Sequence, residues 1–169
     1  MKDEILFFER QRFRQAWLWA IIIGVNGIFV YGFIQQVITG HVFGDKPMSN
    51  TGLWISLVLS FMLTALFLSI RLDTIIKMDG IYVRFFPIHL QYKKYEWEQV
   101  SQIYVRKYHA ISEYGGWGYK IMIGSGKAYN ISGNMGIQLV LKNQKKLLIG
   151  TIKPEEVTEV LKEITHEKS

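Results

Sequence analysis

Two long runs without a single Asp, Glu, Lys or Arg constrain this chain more than anything else in it. Residues 17–38 read WLWAIIIGVNGIFVYGFIQQVI, and residues 53–70 read LWISLVLSFMLTALFLSI. At a rise of about 1.5 Å per residue the first run matches the ~30 Å of a bilayer core, and the second is near the lower limit for a span. One such run is compatible with a buried core helix. Two before residue 71 are read as a transmembrane hairpin over 17–70, with an external loop at 39–52. Trp17, Trp19 and Trp54 lie at the segment ends, where amphipathic rings prefer the headgroup level. The first run is longer than the apolar core of a signal peptide, and no small-x-small cleavage site follows it, so an uncleaved span is expected.

The basic residues beside the spans set the expected orientation. Arg10, Arg12 and Arg14 precede the first span, Arg71 and Lys77 follow the second, and the connecting loop offers only Lys46. The positive-inside rule then predicts a two-span cell-membrane protein with both termini in the cytoplasm. Segment 1–16 sets Phe7, Phe8 and Phe13 among Glu9, Arg10, Arg12 and Arg14. It is read as an amphipathic, helical lead-in lying in the interface. Within the spans, Asn26 stands among Gly24, Gly27 and Gly32, while Ser56, Ser60 and Thr64 recur every four residues and share one helix face. These residues predict a close-packed hairpin with Asn26 hydrogen-bonding across the seam. A solute or proton path would call for ionisable groups at depth, which the runs lack. The same small-residue face is an alternative contact for another membrane protein.

After Ile70 the pattern changes with no linker, so the following domain, 71–169, is expected close to the headgroups. Residues 71–77 read as a strand, Asp79-Gly80 signals a tight hairpin, and the return strand 81–86 stops at Pro87. Further strands are expected near 90–97, 100–108, 117–123, 127–132, 136–142 and 145–150. Turns between them are expected at Gly124-Ser125-Gly126, Ser132-Gly133-Asn134 and Asn143-Gln144. Pro154 suits a first helical position and Glu155 and Glu156 suit a helix N-terminus. Val157, Val160, Leu161 and Ile164 then trace one apolar stripe, predicting a helix over about 154–166. Many antiparallel strands over 71–150 followed by one helix is the order of a pleckstrin-homology-like (PH-like) barrel, in which the helix covers the open end. The expected fold class is therefore an α-helical transmembrane hairpin followed by a mainly-β PH-like barrel with one C-terminal α-helix.

Several stretches resemble a known family. They are Phe8-Glu9-Arg10-Gln11-Arg12-Phe13-Arg14, Glu113-Tyr114-Gly115-Gly116-Trp117-Gly118, Ala128-Tyr129-Asn130-Ile131-Ser132-Gly133, and Ile149-Gly150-Thr151 with Pro154-Glu155-Glu156. Together they resemble small, uncharacterised bacterial membrane proteins that pair a two-helix hairpin with a bacterial PH-like domain. The resemblance spans nearly the whole chain. It implies the fold and a bacterial membrane location, and it brings no catalytic residues with it.

The chemistry-bearing patterns fail one by one. The chain has no Cys, which excludes disulfides, thiol catalysis and thiolate metal sites. A phosphate loop ending at Gly126-Lys127 needs Gly at 121 and Ser or Thr at 128, where Ile121 and Ala128 stand. A dinucleotide fingerprint from Gly124 needs Gly or Ala at 129, where Tyr129 stands. His41, His89, His109 and His166 show no metal-ligand spacing. The net charge is +6, and the strand segment is basic while Glu155, Glu156, Glu159, Glu163 and Glu167 fall in the last segment. That bias favours anionic lipid. Nucleic acid is not expected, because no recognition motif accompanies the charge. Trp117 between glycines is read first as a packing ring. The alternative is an exposed lip of Tyr114, Trp117 and Tyr119.

The residues therefore point to a non-enzymatic integral membrane protein without cofactor or metal. Its cytoplasmic PH-like domain is expected to act as a membrane-proximal protein- or lipid-binding module. The candidate contacts are Arg71, Lys77, Arg84, Lys93, Lys94, Arg106 and Lys107, with Tyr114, Trp117 and Tyr119; the candidate helix-packing residues are Gly24, Asn26, Gly27, Ser56, Ser60 and Thr64. Expected partners are the bilayer, with its anionic headgroups, and a protein partner or a second copy. The alternative is an accessory subunit of a membrane transporter or membrane enzyme complex, contacting it through the hairpin.

Overall fold

The structure is a computed structural model that describes residues 4–122 and 126–167. The chain divides into two compact units: residues 14–69, and the segments before and after them. The first unit is a helical hairpin of α1 (Ala16–Phe33), prolonged by a wider π turn at Ile34–Ile38, and α2 (Asn50–Ser69). Both helices are long and apolar enough to cross a membrane, and only 11% of each apolar window is buried within the protein. The Ser49 hydroxyl accepts the Gly52 N–H at 3.1 Å, satisfying one of the orphan donors at the start of α2.

The second unit holds two sheets. In the first, β1 (Ile5–Arg12), β2 (Arg71–Lys77), β3 (Gly80–Phe86) and β4 (Lys93–Glu96) pair antiparallel in that order. The second runs β5-β8-β9-β7-β6, built from β5 (Val100–Lys107), β6 (Gly118–Met122), β7 (Gly126–Asn130), β8 (Met135–Leu141) and β9 (Lys146–Thr151). Two short segments were not foreseen: a 3-10 turn at Trp97–Gln99 and a helix, α3 (Ala110–Tyr114). The final helix, α4 (Pro154–Glu167), falls where its apolar stripe predicts.

Three expectations need correction. The segment before the first span is no helical lead-in: residues 5–12 are strand β1, and they belong to the sheet unit. The strands are not all antiparallel, because β9 lies between β7 and β8 and runs parallel to β7. The loop after β7 carries the chain past one strand position, and β9 returns into that gap. The sheets are also two, with β1, β4, β5 and β6 as their edges, and they do not close on one another. The expected turn at 124–126 lies in part outside the described residues.

The hairpin between β2 and β3 is offset by one residue from the expected turn. Lys77 pairs with Gly80, so Met78-Asp79 form the loop and Gly80 opens β3. A Cβ at Gly80 would come 2.5 Å from the Tyr95 carbonyl oxygen on β4, so glycine is needed for strand approach. The β8–β9 turn is where expected, with Gln144 in the left-handed region at φ 62°.

Inward-facing residues of both sheets make one core. Phe7, Leu72, Ile76, Ile81, Val83 and Phe85 come from the first sheet and Tyr129, Ile137, Leu139, Leu147 and Ile149 from the second. Val157, Val160 and Ile164 of α4 complete it. β1 contributes differently from its neighbours: its inward positions are Phe7, Glu9 and Gln11. The Glu9 carboxylate, 4% exposed, accepts the Thr151 hydroxyl at 2.6 Å, the Ile152 N–H at 2.8 Å and the Gln11 amide at 2.9 Å. Gln11 also donates to the Gly150 carbonyl at 2.7 Å. These bonds tie the N-terminal strand to the end of β9 and the approach to α4. Glu9→Ala would orphan the buried Thr151 hydroxyl and Ile152 N–H, so a loss of about 2–4 kcal/mol is expected. Faster hydrogen exchange at residues 150–153 and at β1 checks it, with the exposed Glu159→Ala as the neutral comparison.

Candidate functional site

Alternation along β1–β4 sends one set of side chains to the core and the other to an outer face. In register across the strands, that face reads Arg12, Arg71, Phe86; then Arg10, Asp73, Arg84; then Phe8, Ile75, Tyr82, Lys94; then Lys77, Gly80, Glu96. Basic groups and aromatic rings therefore make up most of this face. The Arg10 guanidinium sits over Phe8 (5.6 Å to the ring centre), Arg71 over Phe86 (4.6 Å) and Arg84 over Tyr92 (4.3 Å). The Lys77 and Lys94 ammonium groups flank Tyr82 at 5.4 and 5.8 Å. Such contacts hold long side chains in place while leaving their charge to the outside.

Asp73 sits beneath this surface. Its carboxylate is fully buried, yet it receives Arg10 Nε at 2.6 Å and Arg84 Nη2 at 2.7 Å, with Arg71 Nε at 3.5 Å. Burial pushes the Asp73 carboxyl up. The hydrogen bonds and charges of Arg10 and Arg84 outweigh it, so the group lies below its ordinary value. The arginine side chains are 40%, 28% and 19% exposed for Arg10, Arg71 and Arg84, so the cluster shows its guanidinium groups outward and hides the carboxylate. At the hairpin end, Asp79 accepts Tyr82 Oη at 2.7 Å and pairs with Lys94 at 2.9 Å. Hydrogen bonds to Asp79 and then Glu96 raise the Lys94 ammonium above its ordinary value.

The candidate contact residues separate into two groups. Arg71, Lys77, Arg84 and Lys94 share this face, joined by Arg10, Arg12, Phe8, Tyr82, Phe86, Tyr92 and Asp73, which sequence reasoning did not select for it. Lys93 points the other way in the alternation, and its ammonium lies 5.8 Å from the Tyr119 ring centre. Arg106, on β5 of the other sheet, is engaged in holding α3. It donates to Gln138 Oε1 at 3.0 Å, Glu113 Oε2 at 2.7 Å and Tyr114 Oη at 3.3 Å. Lys107 is exposed at the end of β5.

The aromatic lip does not form. Tyr114 is 1% exposed and packs edge-on to Tyr108, because α3 turns it inward. Gly115, at φ 67°, ends that helix, a conformation glycine adopts without a Cβ penalty. Trp117 is half-buried against the same cluster. Tyr119 stacks on Tyr129 at 5.0 Å and meets the edge of His89. Burial lowers the His89 pKa, with Lys93 and Lys127 adding to the effect. No cluster of three His, Asp or Glu stands together among the described residues.

In the hairpin unit, Asn26 does bond across the seam. Its Nδ2 donates to Thr64 Oγ1 at 2.8 Å and to the Ile22 carbonyl at 2.7 Å, and Ser60 Oγ donates to its Oδ1 at 3.2 Å. Ser56 is half-buried. Gly24 and Gly27, expected at the seam, are elsewhere: nothing lies within 4 Å of where a Cβ would be. The glycine that packing requires is Gly32, whose Cβ would meet the Phe43 ring at 2.7 Å. Asn26→Leu is expected to lower hairpin stability by about 0.6–1.7 kcal/mol, measured by unfolding in mixed micelles.

A second prediction concerns Asp73. Because its folded pKa is depressed, its stabilisation is present above the unfolded value of about 4 and is lost as the pH falls through the folded one. Asp73→Asn is expected to cost about 1–3 kcal/mol at neutral pH, discounted for the partly exposed arginines. The difference between the thermal midpoints of the two proteins should shrink in acid. No protein-family model, curated protein or solved structure matches the chain.

Proposed function

We propose that this is a non-enzymatic, membrane-tethered binding module whose strand unit is PH-like and whose four-stranded sheet offers its outer face to anionic headgroups. The hairpin would anchor it in a bacterial cell membrane with both termini cytoplasmic. The scarcity of buried surface on two long helices without a charged residue supports the anchor, since a core helix of a soluble protein is mostly covered. Two sheets around one core, packed by a C-terminal helix, support the PH-like reading.

The observation that carries the binding role is the pairing of Arg12 with Arg71. The two stand directly opposite on neighbouring strands, an arrangement that like charges disfavour in water. An anion laid over them turns the repulsion into attraction. These arginines also flank the two spans in the chain, which suits a surface meeting the headgroup layer. Each basic group near an anionic leaflet contributes about 1 kcal/mol, and rings among them suit the interface.

The absence of cysteine makes the test direct. A Phe8→Cys protein carrying an environment-sensitive dye is placed in nanodiscs with or without phosphatidylglycerol. A blue shift is expected only with the anionic lipid, weakened by salt and by combined Arg12→Gln, Arg71→Gln and Lys77→Gln. An equal signal in neutral discs sinks the proposal. The accessory-subunit reading keeps one supporting observation, the open face at Gly24 and Gly27. It requires a stoichiometric partner in mild detergent that Gly24→Leu with Gly27→Leu removes.

A further inference from the structure

We infer that the arginine cluster over Asp73 is a binding site for a phosphomonoester group, and that this face therefore prefers a doubly charged phosphate to the singly charged diester of a common anionic lipid. The inference rests on the reading of this face as the one that meets anions.

Three features of the cluster carry it. The first is charge: three guanidinium groups surround one carboxylate, so two positive charges remain in excess. A phosphodiester supplies one negative charge, whereas a monoester supplies about 1.5–2 at neutral pH. The second is donor supply. Each guanidinium carries five N–H donors, and a carboxylate offers about four acceptor positions. Asp73 thus satisfies only a minor share of the donors above it, and it does so from below, because the carboxylate itself is fully buried. A ligand approaching from outside meets N–H groups and no acidic oxygen. The three free oxygens of a monoester can each face a different arginine, while a diester presents two.

The third is pre-organisation. Asp73 lies directly opposite both Arg10 and Arg84 in the sheet register, so backbone pairing fixes the spacing of those two forks. The Phe8, Phe86 and Tyr92 rings then hold the guanidinium planes of Arg10, Arg71 and Arg84. Asp73 is a positioning residue in this scheme: it takes the Nε of Arg10 and the Nε and Nη2 of Arg84. Ordering three arginines beforehand removes entropy that binding would otherwise have to supply.

The same monoester chemistry occurs in a lipid such as phosphatidic acid and in soluble phosphates. Full-length protein in neutral detergent is titrated calorimetrically with dioctanoyl phosphatidic acid, dioctanoyl phosphatidylglycerol and glycerol 3-phosphate. At least a tenfold preference for the phosphatidic acid over the phosphatidylglycerol is expected. Arg10→Lys with Arg84→Lys keeps the charge but removes the forks, and should bring that preference close to unity. A thermal midpoint taken alongside confirms that the variant is folded, and Arg71→Lys alone gives a milder version that leaves the shortest Asp73 bonds untouched. Glycerol 3-phosphate binding as tightly as phosphatidic acid assigns the site to a soluble phosphate; much weaker binding assigns it to a lipid. Equal binding of the two lipids overturns the inference and leaves the anionic-surface reading standing. Failure of every ligand to bind overturns both.

Discussion

The antiparallel pairing of β1 with β2 is the contact on which the strand unit depends. The whole helical hairpin is inserted between these two strands in sequence, yet Arg10 faces Asp73 and Arg12 faces Arg71 directly. Closing so long a loop costs entropy that grows only slowly with its length, but backbone pairing alone is weak compensation for an edge strand. Two buried carboxylates on opposite sides of the sheet add to it. Glu9 reaches inward from β1 to the end of β9, and Asp73 reaches outward from β2 to arginines on both flanking strands. One acid joins the first strand to the far sheet and the other joins it to its neighbours.

Those two acids also separate the inner and outer chemistry of the sheet. The inner face is apolar apart from a few polar groups, of which the Glu9 carboxylate is met by three donors. On the outer face Asp73 is hidden beneath the arginines that pair with it. A lone carboxylate at a fully buried position would be expensive. Surrounded by guanidinium groups it becomes the fixed point from which they project, and the rings between them restrict their motion. The resulting surface is cationic without being a loose fringe of lysines.

Much of this was legible in the chain and some of it could not be. The two long apolar helices were plain because length and lack of charge are local properties, and α4 was plain because Val157, Val160, Leu161 and Ile164 keep one helical period. The strands of 71–86 were readable from β-branched alternation around a turn. β1 was not, because its inward positions Glu9 and Gln11 are polar and erase the two-residue hydrophobic period that marks a half-buried strand. Their partners, Thr151, Ile152 and Gly150, lie at the other end of the chain, where no local pattern can point to them. The parallel placement of β9 beside β7 is likewise a long-range choice. Of the candidate contacts, Arg71, Lys77, Arg84 and Lys94 could be chosen by charge, but Arg106 could not be set aside without seeing Glu113 and Gln138 beside it. Tyr114 looked available because a Gly-rich stretch reads as an open loop, whereas here the glycines end a helix that turns the ring inward.

The insertion of the hairpin between β1 and β2 has a consequence for biosynthesis. The ribosome delivers β1 first, then two long apolar helices, and only then the strand that β1 pairs with. Until α2 has left the ribosome, β1 has an inward face and no sheet to join. Completion of the strand unit is therefore ordered behind synthesis of the hairpin, and a fragment starting at residue 70 would begin life with a missing edge. The chain carries its own checkpoint: the strand unit is whole only once the helical hairpin has been made.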